Sequence, residues 1–341
     1  MTRTDKPVAS LLRRCIASSL RHSITASLAA AAFAVAAQGW TPQRNVEIVV
    51  TSAPAGSNDR TARQVEKVLI ENRLISGTLS VVNKPGGGGN IAFNYVNQHP
   101  GDAHYLLVGT SPLIGNRITG QGTLYYGDFT LIASLFNDYT VFAVNPASPI
   151  VTGKDLVERL KKDPKSVASG FAVALGSHNH IAACLLVKAL GGNARDLKAI
   201  AFKGSAEALT MLMGGHLDLA TTAAGNAAPH VAAGRMRVVA VAAPTRLGGS
   251  LANVPTWREQ GVDLVFGGWR SIMGPRDLTP AQVAYWEGVL RKATQVPEWR
   301  EDLEKNYWSE YFVTGAQFRK DLDREYADMK VILTELGLAK Q

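Results

Sequence analysis

Only two of the 341 residues are cysteine, Cys15 and Cys184. Cys15 falls within an expected leader, so what remains has one thiol, no internal disulfide, and must be held by its core alone. A long hydrophobic run is also missing. The most apolar stretch, Ile24 to Ala37, is 14 residues long, short of the roughly 20 needed to cross a bilayer core. It follows Arg13, Arg14 and Arg21 and ends in Ala34-Val35-Ala36-Ala37, the pattern of a cleaved export signal. Residues 1–37 are therefore expected to be removed near Ala36 or Ala37, leaving a periplasmic protein. The Arg13-Arg14 pair matches a twin-arginine signal poorly.

Blocks of one charge sign are absent beyond residue 40. The formal net charge of +8 includes five leader cations (Arg3, Lys6, Arg13, Arg14, Arg21) against Asp5, so about +4 remains. Mixed segments such as Lys154 to Lys165 carry no nucleic-acid motif, which argues against a nucleic-acid partner. Chemistry-bearing signatures are equally sparse. No two histidines have metal-site spacing, since His178 and His180 are two apart and His99, His104, His216 and His230 are scattered; no metal is expected. No Gly-x-Ser-x-Gly elbow occurs, Cys184 falls on the apolar face of its helix, and no carboxylate pair stands out, so catalysis is not expected either. The glycine run Gly86 to Gly89 ends Gly89-Asn90-Ile91, unlike a phosphate-binding P-loop, and no dinucleotide fingerprint follows it, so no cofactor is expected. Gly88 and Gly89 are held as secondary candidates for a cleft wall, a tight structural turn being the other reading.

What the chain does have is alternation. Apolar runs at Val46–Val50, Leu79–Val82, Tyr105–Gly109, Val141–Val144, Ser166–Ala172, Ala199–Phe202, Leu217–Thr221 and Val238–Ala242 alternate with helical periodicity at Thr61–Asn72, Ile91–Gln98, Gly153–Lys162, Ile181–Leu190, Ala206–Met213 and Ala227–Ala233. Strands apolar throughout are buried on both faces, so an α/β fold with mostly parallel sheet is expected. Pro280 to Leu338 has an almost wholly helical pattern and reads as covering helices packed through Trp286, Trp299 and Trp308. Breaks near Asn145-Pro146 and Val262–Gly268 predict two lobes, 41–144 plus 264–341 and 145–263.

Two segments read strand, small-residue loop, helix: Ala53 to Asp59, and Ala174 to Asn179. Helix N-termini leave backbone N–H groups unpaired and carry partial positive charge, so each suits a carboxylate or phosphate. Ser, Asn and Asp are also ordinary N-caps. Ligands of open α/β sheets lie beyond the carboxyl ends of strands, where Thr110 and Ser111 add hydroxyls and Lys203 an ammonium. The candidate set is Ala55, Gly56, Ser57, Asn58, Asp59, Thr110, Ser111, Gly176, Ser177, His178, Asn179, Lys203 and Thr222.

The run Phe202-Lys203-Gly204-Ser205-Ala206-Glu207-Ala208, then Leu212 to Asp218, then Pro229-His230-Val231-Ala232-Ala233-Gly234 closely resembles the solute receptors of tripartite tricarboxylate transporters, the Bug family. Arg237 to Ala242, Val254-Pro255-Thr256 and Glu259-Gln260-Gly261 continue the resemblance, as do Val82 to Asn90 and Gly101 to Leu107 upstream. It implies a two-lobed fold of the type II periplasmic-binding-protein kind, a small organic carboxylate as ligand, and membrane permease subunits as partners of a monomeric receptor. It assigns the carboxylate to Gly56–Asp59 and Gly176–His178. Three departures stand out: Pro54-Ala55-Gly56 in place of Pro-Gly-Gly, Phe202 in place of Tyr, and Thr222-Ala223 in place of an Asp-Asn pair. Without that Asp an ammonium group lacks its partner, which favours a ligand without an amine. A sensor partnering a membrane kinase and an exported α/β hydrolase are the alternative readings.

Overall fold

The computed structural model describes residues 39–340 except 55–56, 173–174 and 203. The expected leader lies outside them, as do Ala55, Gly56 and Lys203. Within 42–341, which form one compact unit, the elements are β1 (Val46–Val50), α1 (Ser57–Glu71), β2 (Leu79–Asn83), α2 (Asn90–Asn97), β3 (Tyr105–Gly109), α3 (Pro112–Thr119) and β4 (Thr130–Val144). There follow α4 (Gly153–Lys162), β5 (Ala168–Ala172), α5 (His178–Ala189), β6 (Lys198–Phe202), α6 (Ser205–Met213), β7 (Leu219–Ala223), α7 (Ala224–Ala232) and β8 (Arg237–Val241). The chain ends with β9 (Gly267–Gly274), α8 (Pro280–Ala293), α9 (Pro297–Asn306), β10 (Ser309–Thr314) and α10 (Gly315–Glu335).

The sheet runs β2-β1-β3-β9-β4-β7-β5-β6, with β8 and β10 also paired to β4. Pairing is parallel on both flanks, β2-β1-β3 and β7-β5-β6, as buried apolar runs joined by helices require. Around β4 it is antiparallel. This strand is 15 residues long, beginning at Thr130 rather than at the expected Val141. Its first half pairs with β9 and β10, its second with β7 and β8, so one strand runs through both halves of the sheet. Strands β9 and β10 were not expected. In β10 the short, half-exposed sequence has strand-forming Tyr, Phe, Val and Thr but little alternation, and pairing to Ala133–Asn137 fixes it as a strand.

The covering helices pack as their aromatics suggested. Trp286 and Trp299 are fully buried, Trp308 nearly so. Phe136 of β4 stacks on Trp308 at 4.3 Å and meets Trp299 at 6.2 Å. Trp286 Nε1 donates to the Ala103 carbonyl at 3.0 Å, so burial of the ring leaves no polar atom stranded. Helix α8 starts on a capping box in which Thr279 and Gln282 satisfy each other's backbone N–H. Helix α10 turns Phe318, Leu322, Met329, Ile332 and Leu333 into the core, a helical stripe.

Candidate functional site

Four chain segments end at one place. The start of α1, the Thr110-Ser111 step from β3 into α3, the start of α5 and the end of β7 line a cavity of about 260 Å³ through Asn58, Thr110, Ser111, Pro112, His178, Asn179 and Ala223. Its floor is Asp138 and Thr140 of β4 with Gly268 and Arg270 of β9. Side chains alternate along a strand. Hence Asp138 and Thr140 face the cavity together, and Asp138 sits directly across from Gly268 in the ladder.

The loops are braced from behind. Asn58 Nδ2 donates to Thr51 Oγ1 at 2.7 Å, Ser177 Oγ to the Ala172 carbonyl at 2.9 Å, and Thr221 Oγ1 to the Asn179 carbonyl at 2.8 Å. The first bond into α5 runs from Ile181 N–H to Ser177 O, so the N–H groups of His178, Asn179 and His180 precede the helical ladder. The Gly176 N–H is committed elsewhere, donating to His180 Nδ1 at 2.8 Å.

Electrostatics converge over Gly268. A methyl placed on its Cα would lie 3.2 Å from Arg270 Nη1 and 3.8 Å from His178 Nε2, so guanidinium and imidazole flank the space that the missing side chain leaves. Burial, reinforced by the Arg270 charge, pushes His178 down to about 3; the ring is neutral, with one donor and one acceptor nitrogen. It stacks on Phe266 at 4.2 Å. Burial pushes the Asp138 carboxyl up to about 6, against the pull of Arg270, the Trp308 indole and Arg60. Burial likewise lowers Arg270, with Asp138 opposing. Both ring nitrogens of His178, Thr110 Oγ1 and Asp138 Oδ1 are buried without a hydrogen-bond partner, a costly arrangement unless something fills the cavity.

Two further chambers adjoin. One of about 290 Å³ shares Ser111, Pro112, His178 and Asn179 and adds Gly88, Gly115, Asn116, Leu175, Gly176, Ser177 and Met329. The other, about 190 Å³, shares Asp138, Ala223 and Arg270 and adds Arg60, Asn226, Lys305, Asn306 and Trp308. Of the residues expected at the site, Asn58, Thr110, Ser111, His178 and Asn179 meet at the central cavity, and Gly88, Gly176 and Ser177 at the first chamber. Nothing is described of the Ser57 side chain. Asp59 is turned inward: its carboxylate accepts from Asn83 Nδ2 at 2.8 Å and Arg63 Nε at 2.9 Å, and its N–H donates to Ser52 Oγ. Thr222 is buried and accepts from Asn226 Nδ2. Gly89 is a packing glycine at φ +100°, where a methyl would strike the Phe93 ring at 2.9 Å. Asp138, Arg270, Arg60 and Lys305 escaped sequence reading, although a lone arginine inside the apolar run Phe266–Met273 was the available signal.

Among the described residues the one thiol, Cys184, is buried and offers no nucleophile. Cys184 Sγ lies 3.4 Å from His180 Nε2, but burial pushes the thiol up to about 12 and the imidazole down to about 4. A neutral thiol beside a histidine that resists protonation is not an activated pair. Among the described residues no group of His, Cys, Asp and Glu could hold a metal ion, and no helix is long and apolar enough to cross a membrane.

Known proteins share this arrangement of elements. A Cupriavidus necator protein described as the UPF0065 protein in the gbd 5′ region is 27% identical over 324 residues, spanning 93% of this chain and 95% of its own. The crystal structure of a TctC solute binding protein from Polaromonas superposes with a TM-score of 0.76 at 23% identity, covering 86% of this chain and 99% of that one. R. palustris Rpa4515, solved with adipate, gives 0.71 at 24% identity, covering 87% and 99%. The fold is thus that of the periplasmic solute-binding proteins. Residues 61–338 match the tripartite tricarboxylate transporter family receptor profile, and the chain belongs to that family of substrate-binding receptors.

Proposed function

We propose that this protein captures a small organic carboxylate over Gly268 and delivers it to the membrane permease subunits of a tripartite transporter. The observation that carries the reading is the convergence of Arg270, neutral His178 and the buried, unpartnered Thr110 hydroxyl on one cavity at the N-termini of α1 and α5. A carboxylate there exchanges water for fixed donors, each charged hydrogen bond contributing roughly 1.5–3 kcal/mol net. That Rpa4515 was solved with adipate supports the ligand class.

The protein acts as an exported periplasmic monomer. Its lobes, 41–144 plus 264–341 and 145–263, close on the ligand, the chain crossing between them after β4 and just before β9. Closure of this hinge type suits ligand capture.

A thermal-shift screen against mono- and dicarboxylates tests the proposal, because a ligand that binds only the folded state raises the melting temperature. Ser177→Pro is the structural control. Ser177 has φ −65° and ψ 159°, which proline adopts; the substitution removes the loop N–H together with the hydroxyl that braces the Ala172 carbonyl, and it strains Gly176 at φ +81° before it, so its effect is confined to the α5 entrance. We expect the shift to vanish with an unchanged circular dichroism spectrum. Undiminished binding by this variant would refute the role of the second loop; no shift with any carboxylate would refute the ligand class.

A further inference from the structure

The chambers on either side of the central cavity differ in chemistry, and the difference selects a ligand shape. On one side Arg60, Arg270 and Lys305 outnumber Asp138. Lys305 is largely exposed there and lies near Glu301, and Arg60 is exposed. This is a solvated, positive mouth suited to drawing anions inward. On the other side lies the chamber of about 290 Å³ walled by Pro112, Gly115, Leu175 and Met329.

Away from the His178 and Ser111 edge that it shares with the central cavity, three polar side chains of this chamber are already bonded to backbone carbonyls. Asn116 Nδ2 donates to the Gly88 carbonyl at 2.9 Å, Thr119 Oγ1 to Gly115 O at 2.9 Å, and Ser177 Oγ to Ala172 O. No charged side chain lines it among the described residues. Leu175, 52% exposed, is one of the few large apolar side chains left on the surface, and it stands in this wall. A second carboxylate placed against this apolar wall would give up part of its water and find no cation, which disfavours it.

We propose that the ligand is a carboxylate with a single charged head and a compact apolar body, aryl or short alkyl. Its head lies over Gly268 between Arg270 and His178, and its body fills the chamber of Pro112, Gly115 and Met329 beneath Leu175. This inference rests on the function proposed above and narrows it: the receptor prefers an amphipathic monocarboxylate to a dicarboxylate.

Hexanoate and adipate differ only by the second carboxylate and make the decisive pair. Isothermal titration of the purified protein should give hexanoate or phenylacetate at least about tenfold tighter than adipate. Gln121, exposed on the rim of the apolar chamber, supplies a gain-of-function variant. Gln121→Lys adds a cation there without touching the core and should shift the preference toward adipate, whereas Leu175→Asp should weaken hexanoate. Arg270→Met should abolish binding of both. Adipate binding as tightly as hexanoate, with Arg270→Met still inactive, would overturn the apolar-body inference and leave carboxylate capture standing. Failure of every carboxylate to bind the unaltered protein would overturn both.

Discussion

Asp138 lies on the floor of the cavity where an incoming anion would meet it, and its carboxyl already sits at about 6 because burial outweighs the attraction of Arg270 and Arg60 and the contact with Trp308. A bound carboxylate adds a second negative charge in the same low-dielectric space and raises Asp138 further. The sign follows from linkage: the complex holds the proton more tightly than the free protein, so affinity increases as pH falls through the free-state value. Between about pH 7.5 and about pH 5.5, a bound-state rise of one unit gives roughly sixfold tighter binding, and a rise of two units roughly twentyfold. His178, held near about 3, does not titrate in this window, and a simple carboxylate ligand stays mostly ionised. Isothermal titration of hexanoate in two buffers of different ionisation enthalpy reads both the affinity and the proton taken up. Asp138→Asn should bind with a flat pH profile and no proton uptake. An affinity that is flat, or that falls with acidification in the unaltered protein, would refute the placement of the ligand charge next to Asp138.

Two further outcomes concern stability. The Glu325 carboxyl of α10 is pushed up to about 7 by burial, with the Ser111 hydroxyl and the Trp269 indole opposing. Its folded-state value exceeds the unfolded one, so the folded state holds the extra proton and stability declines as pH rises from about 4.5 to about 7. Glu325→Gln, neutral throughout, should match the unaltered protein near pH 5 and exceed it near pH 8 by on the order of 2–3 kcal/mol; equal denaturation midpoints at both pH values would contradict the burial of that charge. Gly89→Ala forces a side chain into φ +100° and against Phe93, costing about 2–4 kcal/mol. For a chain of this length that is a melting-temperature loss of roughly 3–6 °C, and an unchanged melting curve would show that the turn relaxes freely.

The parts of the site that were legible in the sequence are those whose geometry is local. Asn58, His178 and Asn179 follow a strand and a small-residue loop, and the start of a helix exposes its N–H groups wherever that pattern occurs. Thr110 and Ser111 were legible because they close an apolar run. Asp59 carries the same signature and yet faces inward, since Asn83 of β2 and Arg63 one turn along α1 hold its carboxylate. Thr222 neighbours Ala223, which reaches the cavity, and strand alternation places the two on opposite faces.

The amino-acid order alone determined the α/β alternation, the flanking parallel strands, most helices, including those that start after β1 and β5, and, through its motifs, the receptor family. These follow from periodicity and capping, which act over a few residues. The floor of the site was decided by the tertiary structure. Asp138 and Gly268 are 130 positions apart and become neighbours only because β9 pairs antiparallel with β4, while Arg270, two residues on, shares the same face. Strand β10 belongs here too: its Tyr-Phe-Val-Thr run favours extension but is too short and unalternating to stand out within a helical stretch, and pairing to β4 fixes it as a strand. Register between distant strands is a property of the assembled sheet, and it is what placed a guanidinium and a carboxyl beneath two helix N-termini.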